Sequence, residues 1–137
     1  MRPLSGLLAL ALVLAACAPG TGGALRGGVL VTYEQAGETF KIWVTNPETI
    51  RQLLDVHEGR AEGGIPNGRI LRGSGAGGHN EPWSWHLDPD DIHLADVTME
   101  LCDGAPWYVE QEVDEFVDNV KRYCPWGAQL VGLEDLR

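Results

Sequence analysis

Residues 29–48 read VLVTYEQAGETFKIWVTNPE. Residues 29–33 are apolar and β-branched, the composition of a strand. Gln35-Ala36-Gly37-Glu38 is a turn signal, and residues 39–44 alternate in part, so the two runs predict a β-hairpin. Asn46 then offers a side-chain oxygen to the free N–H groups of a helix start. Pro47 suits the first helical position, where the N–H it lacks would have no partner. Ile50, Leu53, Leu54 and His57 follow at helical spacing, and Gly59 is a stop signal. A helix over 47–58 is expected directly after the hairpin.

Downstream, residues 59–82 read mostly as loop, with one strand at 68–71. Gly73-Ser74-Gly75-Ala76-Gly77-Gly78 looks like a phosphate cradle but lacks the Lys-Ser/Thr that should follow it. Pro82 and Trp83 come next instead of a helix. It reads as a mobile surface loop. Residues 83–87 read as a strand and Asp88-Pro89-Asp90-Asp91 as a turn. Residues 97–102 alternate, with Val97, Met99 and Leu101 on one side and Thr98 and Glu100 on the other, which predicts a half-buried strand. Pro106 opens a second helix whose apolar stripe is Val109, Val113, Phe116, Val117 and Val120. Its other face is acidic (Glu110, Glu112, Asp114, Glu115, Asp118), and repulsion there costs a few tenths of a kcal/mol per i,i+4 pair. Lys121 and Arg122 stand at the end where the helix dipole favours cations. Residues 128–133 suit a last short strand. The expectation is a single α+β domain over 29–137, with a small, mainly antiparallel sheet and two helices.

Upstream, residues 1–17 read MRPLSGLLALALVLAAC. Arg2 precedes an apolar run from Gly6 to Ala16, too short for the roughly 20 residues of a membrane-spanning helix. A basic tip, a short apolar run and small residues at its end make a secretory signal over 1–16. Leu14-Ala15-Ala16-Cys17 resembles a bacterial lipobox, in which the Cys thiol takes a diacylglyceryl group and becomes the new first residue. The alternative is an ordinary signal peptide with Cys17 incidental. Lipidation would make the fatty-acyl (palmitate-type) chains the membrane anchor. Ala18 is not the Asp that resembles an inner-membrane retention signal, so in a two-membrane host the outer membrane is expected. Residues 17–28 are Gly-rich and read as a flexible tether.

The chain has 137 residues, enough for one small domain, and a net charge of −10. Removing residues 1–16 takes away Arg2 and no acid, so 10 basic residues become 9 against 20 acidic ones, a net charge of −11. Binding of nucleic acid through phosphate contacts is thereby disfavoured. If Cys17 is lipidated, Cys102 and Cys124 remain as a pair in a compartment that permits disulfides. A bond would close a loop of about 23 residues and contribute roughly 3 kcal/mol. It would require residues 103–105 and 121–123 to fold back along a helix about 21 Å long. Two buried thiols are the alternative.

Functional side chains are densest in Trp83-Ser84-Trp85-His86-Leu87-Asp88-Pro89-Asp90-Asp91-Ile92-His93. His86 and His93 with Asp88, Asp90 or Asp91 are candidates for a transition-metal site such as zinc, if strand and turn double back. The other reading is that the tryptophans fill core and the acids solvate a turn. Asp88 and Asp90 fit the first two positions of an EF-hand loop, but Ile92 breaks the third and the glycine is missing. An irregular calcium site using Asp88, Asp90, Asp91 or Asp96 stays open. Ser84 and His86 alternate on one strand face, and Glu100 and Asp103 are a conceivable carboxylate pair, but acids are numerous enough for chance proximity. No cofactor is required by these motifs.

The order of blocks from Phe40 to Trp126 is distinctive. Phe40-Lys41-Ile42 and Asn46-Pro47-Glu48 are followed by Gly68-Arg69-Ile70 and Trp83-Ser84-Trp85-His86-Leu87-Asp88-Pro89. Met99-Glu100-Leu101-Cys102-Asp103-Gly104 and Tyr123-Cys124-Pro125-Trp126 close the series. It resembles the N-terminal domain of a slime-mould calmodulin-binding protein, a small domain also found alone in secreted bacterial proteins. The resemblance implies the fold and the compartment, and its two Cys blocks fit the disulfide. It implies no catalytic residues, and calmodulin is not carried over as a partner. The expected function is therefore non-catalytic binding. A lipid-anchored, extracytoplasmic domain would contact an envelope ligand or protein through Trp83, Trp85 and His86 if those rings are exposed. A metal-dependent hydrolase using the His86/His93/Asp cluster, or a purely structural envelope protein, are the alternatives.

Overall fold

A computed structural model describes residues 25–137. The signal segment, Cys17 and most of the tether lie outside the described residues. The expected hairpin is β1 (Val29–Gln35) and β2 (Glu38–Val44), paired antiparallel from Val29↔Val44 to Gln35↔Glu38. The loop is Ala36-Gly37, both at positive φ (53° and 82°), the conformation whose twist matches a two-residue hairpin. Helix α1 (Pro47–His57) begins as expected. The Asn46 side chain accepts from the backbone N–H of Glu48 at 3.0 Å and of Thr49 at 3.2 Å. It buries Thr49, Ile50 and Leu53. His57, expected on the apolar face, is exposed.

The remaining strands are β3 (Ile65–Arg72), β4 (Trp85–Leu87), β5 (His93–Ala95), β6 (Arg122–Tyr123) and β7 (Gln129–Asp135). Strand β7 returns beside β1 and completes a three-stranded sheet in the order β2-β1-β7, with a bulge between Thr32 and Tyr33. The second sheet is built around β3, which pairs antiparallel with β4, β5 and β6. β3 needs eight residues rather than the four expected because it serves three partners. Just before β1, at the end of the expected tether, the Gly27 N–H donates to Leu136 O at 2.9 Å, and the Leu136 N–H donates to Gly28 O at 2.9 Å. A Cβ on Gly28 would collide with Val44 O, so only glycine lets the chain pass there.

Val29, Val31 and Tyr33 from β1, and Phe40, Ile42 and Val44 from β2, face a core closed by Ile70, Trp85, Leu87, Ile92, Val109, Phe116 and Tyr123. Phe40 is the aromatic hinge between the sheets. Its ring lies 5.7 Å from Tyr33, 5.8 Å from Trp85 and 5.5 Å from Tyr123. Such ring pairs contribute about 0.5–1.5 kcal/mol each beyond burial.

Two expectations fail here. Residues 97–102 are not a strand: they form an extended segment ending in a 3-10 turn at Glu100–Cys102, with Val97, Met99 and Leu101 all exposed. The alternation is genuine, but no strand among the described residues pairs with the segment, and without a partner alternation buries nothing. The second helix is broken into α2 (Pro106–Gln111), α3 (Val113–Glu115) and a π turn (Phe116–Val120), with Glu112 non-helical at φ −115°, ψ 33°. β-Branched residues at 109, 113, 117 and 120, adjacent acids and the absence of a side-chain cap at Ala105 all weaken a continuous helix. The apolar stripe survives the break, since Val109 and Phe116 are buried and Val113, Val117 and Val120 pack against the core. Arg72 from β3 relieves the acidic face, reaching Asp114 at 2.7 Å and Asp118 at 2.9 Å.

Candidate functional site

The cluster at 83–93 divides by depth. Trp85 is 0 % exposed and belongs to the core, so it cannot be the contact residue expected from its neighbours. Trp83 is half-buried, its ring 6.2 Å from Trp85 and its indole N–H donating to Thr39 O at 2.9 Å. His86 is half-buried, with Nδ1 2.7 Å from Gly73 O. His93 is exposed. His86 stands opposite Leu71 and His93 opposite Asn67. Four positions along β3, at about 3.3 Å each, offset them by about 13 Å along the strand alone. The strand and turn do not double back, and among the described residues no three His, Cys, Asp or Glu side chains gather as a metal-binding group.

The acids of the turn have structural partners. Asp88 Oδ1 accepts from the Asp90 N–H at 3.1 Å, and Asp90 accepts from the Thr45 hydroxyl. The Thr45 N–H donates to Pro89 O at 3.1 Å, which ties the turn to the start of α1. Asp91 Oδ2 accepts from the Arg69 N–H at 2.9 Å and from Arg122 at 2.7 Å, while Arg122 also donates to Asn67 Oδ1 at 2.6 Å. Desolvation pushes the Asp91 carboxyl up, but the Arg122 and Arg69 hydrogen bonds outweigh it and hold the group below the usual carboxylate range. Ser84 does not meet His86: its hydroxyl and N–H donate to the Glu110 carboxylate at 2.8 and 2.9 Å.

The Gly-rich run is pinned rather than loose. A 3-10 turn spans Ala76–Gly78, the Gly73 N–H donates to Ser84 O at 2.8 Å, and the Ser74 hydroxyl donates to Trp83 O at 2.6 Å. Asn80, 1 % exposed, donates to Trp85 O at 2.7 Å and accepts from the Lys41 N–H at 2.8 Å.

The surface that sequence reasoning missed is the unpaired segment. Val97 is 71 % exposed, Met99 57 % and Leu101 67 %. Trp126, 41 % exposed, extends the strip: its indole N–H donates to Met99 O at 3.4 Å, and its backbone N–H donates to Asp103 Oδ1 at 3.0 Å. Directly beneath lies the Cys102–Cys124 disulfide, with Cα atoms 5.2 Å apart, and the Cys124 N–H donates to Cys102 O at 2.8 Å. Between the two cysteines the second helix is broken at Glu112 and ends in a left-handed turn at Lys121 (φ 71°). Asp96 and Glu100, both exposed, interleave the apolar positions with negative charge. At the hairpin end of the first sheet the Trp107 N–H donates to Glu38 at 3.1 Å and Gly127, next to Trp126, faces Gln35. Gly28 enters at the opposite end of β1. The signal for this surface was present in the alternation of 97–101, but local pattern cannot say whether a partner strand exists.

The chain belongs to the BP-74 N-terminal domain family, which matches residues 28–136. The match begins at Gly28, one residue before β1. No curated protein and no solved structure matches the chain.

Proposed function

We propose that this member of the family is a lipid-anchored, extracytoplasmic protein that acts by binding, and that its contact surface is the strip Val97, Met99, Leu101 and Trp126. The observation that carries the reading is the exposure of three apolar side chains at alternate positions, next to the Cys102–Cys124 disulfide. Soluble monomers seldom leave such a patch uncovered unless something docks there. The occupant is a protein segment with an apolar centre and a basic rim, because Asp96 and Glu100 would pair with Lys or Arg and would be repelled by an anionic lipid surface. Anchorage rests on the lipobox-like Leu14-Ala15-Ala16-Cys17, and the Cys102–Cys124 bond supports an oxidising compartment. The bacterial outer membrane is the proposed location if the host has two membranes.

A photo-crosslinking residue placed at Leu101 of the full chain, expressed in its membrane, tests the surface. A discrete protein adduct is expected from position 101, absent from the same probe at exposed Glu62 and lost when Met99→Asp is added. Adducts to lipid alone, or equal adducts at 62 and 101, would refute the surface. Mass spectrometry of the N-terminal peptide tests the anchor: a diacylglyceryl thioether on Cys17 is expected, and an unmodified sulfur there rejects it.

A further inference from the structure

We propose that His79 and His86 form a two-imidazole site for a divalent transition-metal ion of the copper(II) class. The two rings stand 5.9 Å apart at 87° to one another. Each Nδ1 is held by a backbone carbonyl, His79 by Ala76 O at 2.9 Å and His86 by Gly73 O at 2.7 Å. A carbonyl only accepts, so in the neutral rings Nδ1 carries the proton and Nε2 keeps its lone pair. Metal-binding histidines are commonly oriented by such a carbonyl bond on the second nitrogen.

His79 is 7 % exposed, and its Nε2 is buried with no hydrogen-bond partner in the protein. A buried polar atom with nothing to bind is uncommon and calls for a reason. The loop is shaped around this ring. Gly75 has φ 83°, and a Cβ on it would collide with His79 Cε1, so the imidazole occupies the space a side chain would take. The glycine run that fails as a phosphate cradle therefore makes room for a nitrogen ligand. Burial, against the opposing Ala76 carbonyl, holds the His79 pKa below its ordinary value. Imidazole suits first-row divalent ions, and copper(II) stands highest in the affinity order. Among the described residues no third His, Cys, Asp or Glu side chain joins the pair, so water or an external ligand would complete the coordination.

The test titrates copper(II) chloride into the full chain carrying His57→Ala and His93→Ala, which removes the two exposed histidines. One equivalent of copper with a two-nitrogen electron paramagnetic resonance signature is expected. His79→Gln and His86→Gln should each weaken binding at least tenfold, and Gly75→Ala should weaken it by displacing the His79 ring. Near-UV circular dichroism checks each fold. Should His79→Gln fail to fold, His86→Gln carries the decision, since that ring is half-buried and on the strand's accessible side. Affinity unchanged in His86→Gln, or a signature lacking two nitrogens, overturns the site.

Discussion

Trp83-Ser84-Trp85-His86-Leu87 and Val97-Thr98-Met99-Glu100-Leu101 are five-residue runs that both place large apolar side chains at alternate positions, yet they end in opposite environments. In the first, Trp85 and Leu87 are 0 % exposed, because β4 lies against β3 with Ile70↔Leu87 and Arg72↔Trp85 in register. In the second, all three apolar residues face outward, because the segment turns into a 3-10 turn and a disulfide instead of joining a sheet. Alternation creates a hydrophobic face, whereas backbone pairing decides where that face points.

The largest way to break the contrast is Trp85→Ala. Loss of a fully buried indole that meets Phe40 and Tyr123 should cost about 3–5 kcal/mol, read from the denaturant midpoint. A loss below about 1 kcal/mol would mean that this ring is not part of the core. Next, replacing Cys102 and Cys124 together by Ser should cost about 3 kcal/mol. Hydrogen exchange should then quicken in residues 97–102 while 85–87 stays protected by its strand pairing. Equal acceleration in both segments would erase the distinction between them.

Acidification sharpens the buried side. The His79 imidazole is held below its ordinary pKa of 6.5, chiefly by burial and further by His86 and Lys41 against the opposing Ala76 carbonyl. The unfolded chain then binds the proton more readily than the folded one, so this contribution is intact above about pH 6.5 and is lost as pH falls below it toward the depressed folded value. The denaturant midpoint should drop between pH 7.5 and pH 5.5, and the drop should shrink in His79→Gln. An identical drop in that variant assigns the effect elsewhere. The smallest stability effect belongs to the exposed strip. Leu101→Asp should change stability by no more than about 0.5 kcal/mol while abolishing the cross-link from a probe at Met99. A change above about 2 kcal/mol would show that Leu101 is packed rather than presented.

Short-range chemistry was legible in the residues themselves. Ala36-Gly37 between two β-branched runs specified the hairpin, and Asn46-Pro47 specified where α1 begins, because these signals act within four residues. The α+β class followed from the order of those elements, whereas Cys102 and Cys124, 22 residues apart, were legible only as a possible pair with two thiols as the alternative. Whether Trp85 lay in the core was not readable, nor was the use of Asp91 to hold Arg122 across 31 residues. His86 was identified as a candidate ligand beside His93, but the ring that approaches it is His79, brought there by a loop read only as mobile.

By itself the sequence determined the turns, the first helix start, the acidic charge and the residues able to form one cross-link, since each depends on neighbours a few positions away or on composition. Only the tertiary structure decided that residues 97–101 stay unpaired, that the second helix breaks at Glu112 and that His79 meets His86. The local residues only weaken the second helix, and the packing of distant segments against one another decides where it breaks, which segment stays unpaired and which rings meet. That packing is between segments far apart in the chain, and its energy does not exist until they touch.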